Sequence, residues 1–398
     1  MAQFLFLLYW ILKSFYTGAS GGLQIGDFVF CASFAVFAVQ NAHKLVKLNG
    51  PSELLIKDRL LALFIFFVAF INVAYWLYYG DTGLLLAVAY FVFNLLNIIE
   101  FRWLVHQKNF VRNFVAVNFL CILIQVLVYF GGYGRWYDGV RYMGTFNDPN
   151  QLAFFVMSRF FILFVIYNHL KRGDWKEKVG VLAAFALTLF LVVQAASTGM
   201  LLGTAVFAAF WLIYAFVKDK SVKKLFVLVG ISFVGMIVLT VDEMQLFNFS
   251  FLEGTSLLER LTEKINKMGG NSGLEGYIID RNLQAFFEKT YYILWGAGEG
   301  AFGRFTDVAK LGELHSTILG LLFYYGIVPF AILFLWIRKN LKHMRGADWC
   351  VYLALFVEMM TLINHRQASL WLLFVLPSVL WQKEDVVQKD SKENKVEA

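Results

Sequence analysis

His315 stands at the end of the longest polar stretch of the chain, residues 242–313, and opens another apolar run. Imidazole exchanges a proton near neutral pH, so a histidine at the edge of a water-facing stretch can take the proton of a hydroxyl. Arginines precede it: Arg260 and Arg281 within the stretch, and Arg135 and Arg141 ahead of Gly144-Thr-Phe-Asn-Asp-Pro-Asn150. A guanidinium stays charged at any relevant pH, and its planar fork of donors matches two phosphate oxygens at once. A proton acceptor beside fixed cations is equipment for moving a group off a phosphate ester or a diphosphate. Read singly, each part has a plainer use. A lone histidine at a helix start is commonly a cap, and Asp148 or Asn150 with Pro149 fits a helix N-terminus.

The elements that must position these residues are membrane spans. Of the 398 residues, 59% are apolar and only 16% charged, and phenylalanine occurs 43 times. This is far from the soluble average. Since about 20 apolar residues cross a bilayer core, the sequence predicts an all-α protein of about twelve spans. They lie near residues 3–16, 27–39, 60–79, 83–99, 113–130, 151–167, 179–193, 198–217, 225–241, 316–337, 349–363 and 369–381. Lysine and arginine collect in every second loop, at 44–59, 102–112, 171–178, 218–224 and 338–345. These loops should be cytoplasmic. Both termini then face the cytoplasm, and the 242–313 loop faces outward.

The net charge of +7 is thereby spent on orientation and anionic lipid, leaving no basic patch for nucleic acid. Arg135 and Arg141 stand on the side where positive charge is disfavoured, and so are expected to meet an anion. Cys31, Cys121 and Cys350 fall inside spans, and no cysteine or histidine cluster has the spacing of a metal site. Met1-Ala2-Gln3 lacks a charged n-region, so the first span is expected to be retained. Residues 1–382 read as one membrane domain, with a disordered cytoplasmic tail at 383–398. Ser256-Leu-Leu-Glu259 opens a predicted amphipathic helix in the loop, and a second helix is expected from Tyr277 to Lys289. Arg159 and Glu358 are charges at bilayer depth that are expected to pair as a structural tie. Trp136 and Tyr142 read as anchors or as sugar-stacking rings. His365 and Arg366 in the last outer turn read as interfacial anchors, with the cavity as their other use.

The order of motifs resembles the O-antigen polymerase and O-antigen ligase family of bacterial envelope glycosyltransferases. The resemblance rests on Gly144-Thr-Phe-Asn-Asp-Pro-Asn-Gln-Leu-Ala153, on Arg281 ahead of Trp295-Gly-Ala-Gly-Glu-Gly-Ala-Phe302, and on His315-Ser316 followed by Gly326. It covers roughly the second half of the chain. It implies a fold of the C-type glycosyltransferase superfamily in the bacterial inner membrane, with His315 activating the acceptor hydroxyl. Arg281 would hold the pyrophosphate of a polyprenyl-linked oligosaccharide donor, with no cofactor and no metal. A chain-length regulator is a further implied partner. Where the family often carries an arginine, this chain has Ser197-Thr-Gly-Met200, and Arg135, Arg141 or Arg260 stands in as the replacement. The family pattern's last glycine is Pro329 here. Asn150 and Arg366 are further cavity candidates. Polymerisation of repeat units is the preferred reaction. Ligation to lipid A core is the close alternative, and a glycan flippase or secondary transporter the rival of another class.

Overall fold

The computed structural model describes residues 1–16, 23–42, 57–170, 175–218 and 273–396. The span expected at 225–241, the loop helix after Ser256 and Arg260 lie outside them. Helices dominate. In chain order they are α1 (Ala2–Leu12), α2 (Ile25–Gln40), α3 (Arg59–Tyr79), α4 (Gly83–Leu104), α5 (Phe110–Phe130), α6 (Pro149–Leu170), α7 (Trp175–Ala195) and α8 (Thr198–Lys218). After the segment outside the description come three short helices, α9 (Gly273–Asp280), α10 (Gln284–Glu288) and α11 (Tyr292–Trp295). The chain ends with α12 (Thr317–Tyr325), α13 (Ile327–Leu341), α14 (Asp348–Thr361) and α15 (Ala368–Val396).

Among the described residues six helices, α3 to α8, are long and apolar enough to cross a membrane, which points to a membrane protein. Helix α6 is the centre. It is 89% buried over its apolar stretch, whereas the other five are 22% to 50% buried and keep faces for lipid. Around it pack α5, α7, α8, α14 and α15. Phenylalanine supplies much of the fit, as where Phe207 meets Phe160, Phe161 and Phe164 at ring separations of 5.0 to 5.4 Å. Such edge-to-face and tilted pairs fill irregular interhelical space without polar atoms.

Three differences from the sequence reading have physical causes. The expected single span at 316–337 is two helices, because Gly326 takes a positive φ of 79° that ends α12 and restarts the chain as α13. The expected helix from Tyr277 to Lys289 is likewise divided, with Asn282 at a φ of 50° between α9 and α10. The fold is also not wholly helical. Asp138 and Gly139, with φ of 51° and 71°, turn a small hairpin that pairs β1 (Arg135–Tyr137) with β2 (Arg141–Gly144). Helix α15 runs on to Val396, through the stretch read as a disordered tail.

One end of the bundle is locked by a buried network. Arg102 at the end of α4 donates to both carboxylate oxygens of Asp58, at 2.7 and 2.9 Å, and to Asn340 at 2.8 Å. Trp336 donates to Asp58 at 2.8 Å, and Arg102 reaches Ser378 of α15 at 3.3 Å. Breaking such a pair by removing one partner costs about 3–5 kcal/mol. The basic loop residues Lys57, Lys339 and Lys383 gather at the same end through Gln382, the Lys57 carbonyl and the Val105 carbonyl.

Candidate active site

The opposite end of the bundle holds a cavity of about 410 Å³, and His315 lines it. Its walls come from the end of α1, the starts of α2, α4 and α6, the residues before α12, and the turn from α14 into α15. The outer turns that the charge pattern predicts near residues 24, 148 and 365 therefore meet His315 at one place.

Local chemistry sets each wall. Asp148 caps α6, its Oδ1 accepting from the Asn150 and Gln151 amides at 2.7 and 3.3 Å. Ser316 caps α12 by accepting from the Leu319 amide at 3.3 Å. Next to it the His315 amide donates to the Arg281 carbonyl at 2.8 Å. Thr317 ties this start to the last turn, donating through its amide and hydroxyl to the Leu362 carbonyl at 2.9 and 2.7 Å while its hydroxyl oxygen accepts from the Asn364 amide at 2.7 Å. With its backbone held on both sides, the His315 ring makes no hydrogen bond to any described residue. Burial pushes the imidazole below its ordinary pKa; Glu313 opposes this, Arg281 reinforces it, and Asp280 and Asp148 oppose it. The ring is thus mostly neutral at neutral pH, as a proton acceptor must be.

Arg366 also lines the cavity, and sequence reasoning missed what holds it. Glu299, 1% exposed, accepts from Arg366 Nε at 2.8 Å, from Tyr325 at 2.8 Å and makes a 2.9 Å contact with His365 Nε2. Arg366 Nη2 reaches Glu313 at 2.5 Å. Burial alone would raise the Glu299 carboxyl. The charges of His365 and Arg366, with the hydrogen bonds of His365 and Tyr325, outweigh it and hold that carboxyl well below the usual carboxylate range. His365 is therefore no interfacial anchor, being 2% exposed inside this network.

Glu299 is delivered by the glycine turn. Because α12 stops at Gly326, its last carbonyls are open, and the amides of Ala297 and Gly298 donate to Phe323 and Tyr324 at 2.9 and 2.7 Å. The sequence signal was a lone carboxylate between Gly298 and Gly300, with Glu313 two residues before His315. Lys13 and Asp27, 2.7 Å apart on the far wall, were hidden within the first two predicted spans.

The arginines divide. Arg281 lies against His315 through its backbone, but its guanidinium donates to the Thr361 carbonyl at 2.5 Å and lies 3.2 Å from Asp280, and it is not part of the cavity lining. Arg141 donates to the Ala195 carbonyl at 3.1 Å and to Asn150 at 3.2 Å, which places it one residue behind the cavity wall. Arg135 is exposed on the hairpin and donates to Asn147 at 2.8 Å. Tyr142 is 1% exposed and packed on Tyr129 and Trp136, so it anchors the hairpin and offers no open face to a sugar.

The expected Arg159–Glu358 tie is absent among the described residues. Arg159 stacks at 3.8 Å on Trp10 and 4.4 Å on Phe155, whereas Glu358 faces Gly203 of α8, where a Cβ would come within 2.4 Å of its Cγ. The two side chains thus have different neighbours, and among the described residues both Glu358 oxygens lack a hydrogen-bond partner. Among the described residues, no group of three or more His, Cys, Asp or Glu side chains could hold a metal ion. Compared with known proteins, the chain matches no family model and no curated sequence.

Proposed function

We propose that this protein is a membrane glycosyltransferase of the bacterial inner membrane that polymerises oligosaccharide units carried on polyprenyl diphosphate at the outer face. The observation that carries this reading is the His315 ring, free of hydrogen bonds to described residues, on the wall of a cavity where the outer turns converge. His315 accepts the proton of an acceptor hydroxyl as that oxygen forms a bond to the anomeric carbon of the donor. The bond from that carbon to the diphosphate oxygen breaks, inversion follows, and the polyprenyl diphosphate leaves with the bonding electrons. The imidazolium then gives its proton to water.

Charge developing on the diphosphate requires fixed cations nearby. The hairpin side supports this role for Arg141 and Arg135, since Arg141 is bonded to Asn150 of the cavity wall. Arg281 supports the site by holding the His315 backbone and the Thr361 carbonyl. Ligation of the finished glycan to a lipid A core uses the same groups with a different acceptor.

The test is polymerisation of lipid-linked repeat units by membranes carrying His315→Ala or His315→Gln. General-base loss predicts a fall of about 10²–10⁴-fold with normal protein levels, and unchanged chain assembly overturns the reading. A transporter is favoured by one observation, the helix broken at Gly326 beside the buried Glu299 and the half-buried Arg366 bonded to it. Retained lipid-linked glycan translocation with no transfer in reconstituted vesicles would establish that alternative.

A further inference from the structure

The far wall of the cavity, where α1 ends and α2 begins, is unused by the reaction above. Lys13 Nζ lies 2.7 Å from Asp27 Oδ1, and the side chains are 19% and 11% exposed. The second oxygen of Asp27 accepts from the Gln24 amide at 2.8 Å, which fixes the carboxylate at the start of α2. Tyr16, Tyr90 and Phe93 add ring faces to the same space. From the turn after α14, Asn364 lines it too. That residue is 4% exposed, and its side-chain nitrogen, Nδ2, has no hydrogen-bond partner among the described residues. A buried amide nitrogen without a partner is costly unless a ligand or water accepts from it.

Charge decides what that ligand is. The lining carries two cations, Lys13 and Arg366, against three carboxylates, Asp27, Asp148 and Glu313. Arg366 is moreover already bonded to Glu299 and Glu313. A diphosphate would bring its negative charges to a wall with a surplus of the same sign and a guanidinium already engaged. An uncharged sugar ring matches the wall instead. Neighbouring hydroxyls can donate to Asp27 and accept from Lys13, another can accept from Asn364, and the carbon–hydrogen faces can lie on the aromatic rings. The volume, about 410 Å³, falls in the range of small-molecule pockets, roughly 300–1,000 Å³.

We propose that the Lys13–Asp27 wall, with Asn364 facing it, is a saccharide subsite that holds an uncharged pyranose residue of the acceptor and presents its hydroxyl to His315. The subsite rests on the glycosyl-transfer reading for its purpose, and it separates the sugar from the diphosphate, which stays on the hairpin side.

The experiment uses the full chain in nanodiscs and saturation-transfer NMR with the methyl glycosides of glucose, galactose, 6-deoxyhexoses and N-acetylhexosamines, with methyl glucuronoside and inorganic pyrophosphate as charged probes. At least one uncharged glycoside binds, and the glucuronoside binds less well than the glucoside. Asp27→Asn and Asn364→Ala each weaken binding about tenfold, and the glycoside slows amine labelling of Lys13. Pyrophosphate does not compete. Melting temperatures verify that the variants fold, and Tyr90→Leu serves as the further variant if Asp27→Asn does not. Failure of every uncharged glycoside to bind, displacement by pyrophosphate, or unaltered affinity in the folded variants overturns the subsite. His315→Ala separates the two proposals. Lost assembly with glycoside binding indifferent to Asp27 removes the subsite and leaves glycosyl transfer, whereas intact assembly with Asp27-dependent binding removes transfer and leaves the subsite.

Discussion

At the scale of the residue, the environment of His315 yields a pH prediction whose sign follows from its neighbours. A base must be neutral to accept a proton, and burial lowers the pKa of this ring from its ordinary value near 6.5. The acid limb of transfer therefore lies below pH 6.5. Glu313 raises the ring's pKa, so Glu313→Gln moves the limb further to acid. Arg281 lowers it, so Arg281→Met moves the limb back toward neutral. Rate against pH in reconstituted membranes measures both, and a limb that stays put in both variants would count against His315 as the base.

The same scale shows what could be read beforehand. His315, Asn150 and Arg366 were visible as polar residues at the ends of apolar runs, and all three line the cavity. Glu299 was not, because a carboxylate inside a glycine turn reads as a solvated loop until the fold buries it under His365 and Arg366. Lys13 and Asp27 were absorbed into spans. The two short helices beside them meet as a pair whose polar ends face one another, and hydropathy does not report that.

At the scale of the element, the break after α12 and the glycine turn form one device. Gly296 has a φ of 80°, and a Cβ there would lie 2.8 Å from the Tyr324 carbonyl oxygen and from the Tyr325 carbonyl carbon. Backbone on both sides cannot yield. Gly296→Ala therefore combines positive-φ backbone strain of about 1–3 kcal/mol with a steric push that parts Ala297 and Gly298 from the end of α12. Glu299 would withdraw from Arg366 as a result. The variant is expected to melt lower and to lose transfer activity, both measurable on the purified protein. Gly180→Ala in α7 is the control, since nothing lies within 4 Å of a Cβ there, and helix propensity predicts an unchanged or slightly higher melting temperature. Equal behaviour of the two variants would remove the device. The helices α3 to α8 were legible because each is a long apolar run. The break at Gly326 was not, because apolar residues continue through it and hydropathy has no term for a reversal of φ.

At the scale of the whole molecule, the two ends of the bundle differ in charge, and that difference predicts orientation. Lys57, Lys339 and Lys383 gather with the buried Arg102–Asp58 pair at one end, while the cavity opens among the less basic turns at the other. Lysine and arginine near span ends favour the cytoplasm, so the cavity is expected to face outward, as the proposed transfer requires. Cysteine labelling decides this directly. With Cys31 replaced by serine, Asp138→Cys at the tip of the hairpin should react with a membrane-impermeant maleimide in intact cells. Lys342→Cys, after α13, should react only after lysis. Cys121 and Cys350 are buried and should stay silent in both. The reverse pattern would place His315 on the cytoplasmic side, and the outer-face polymerase would lose its geometry.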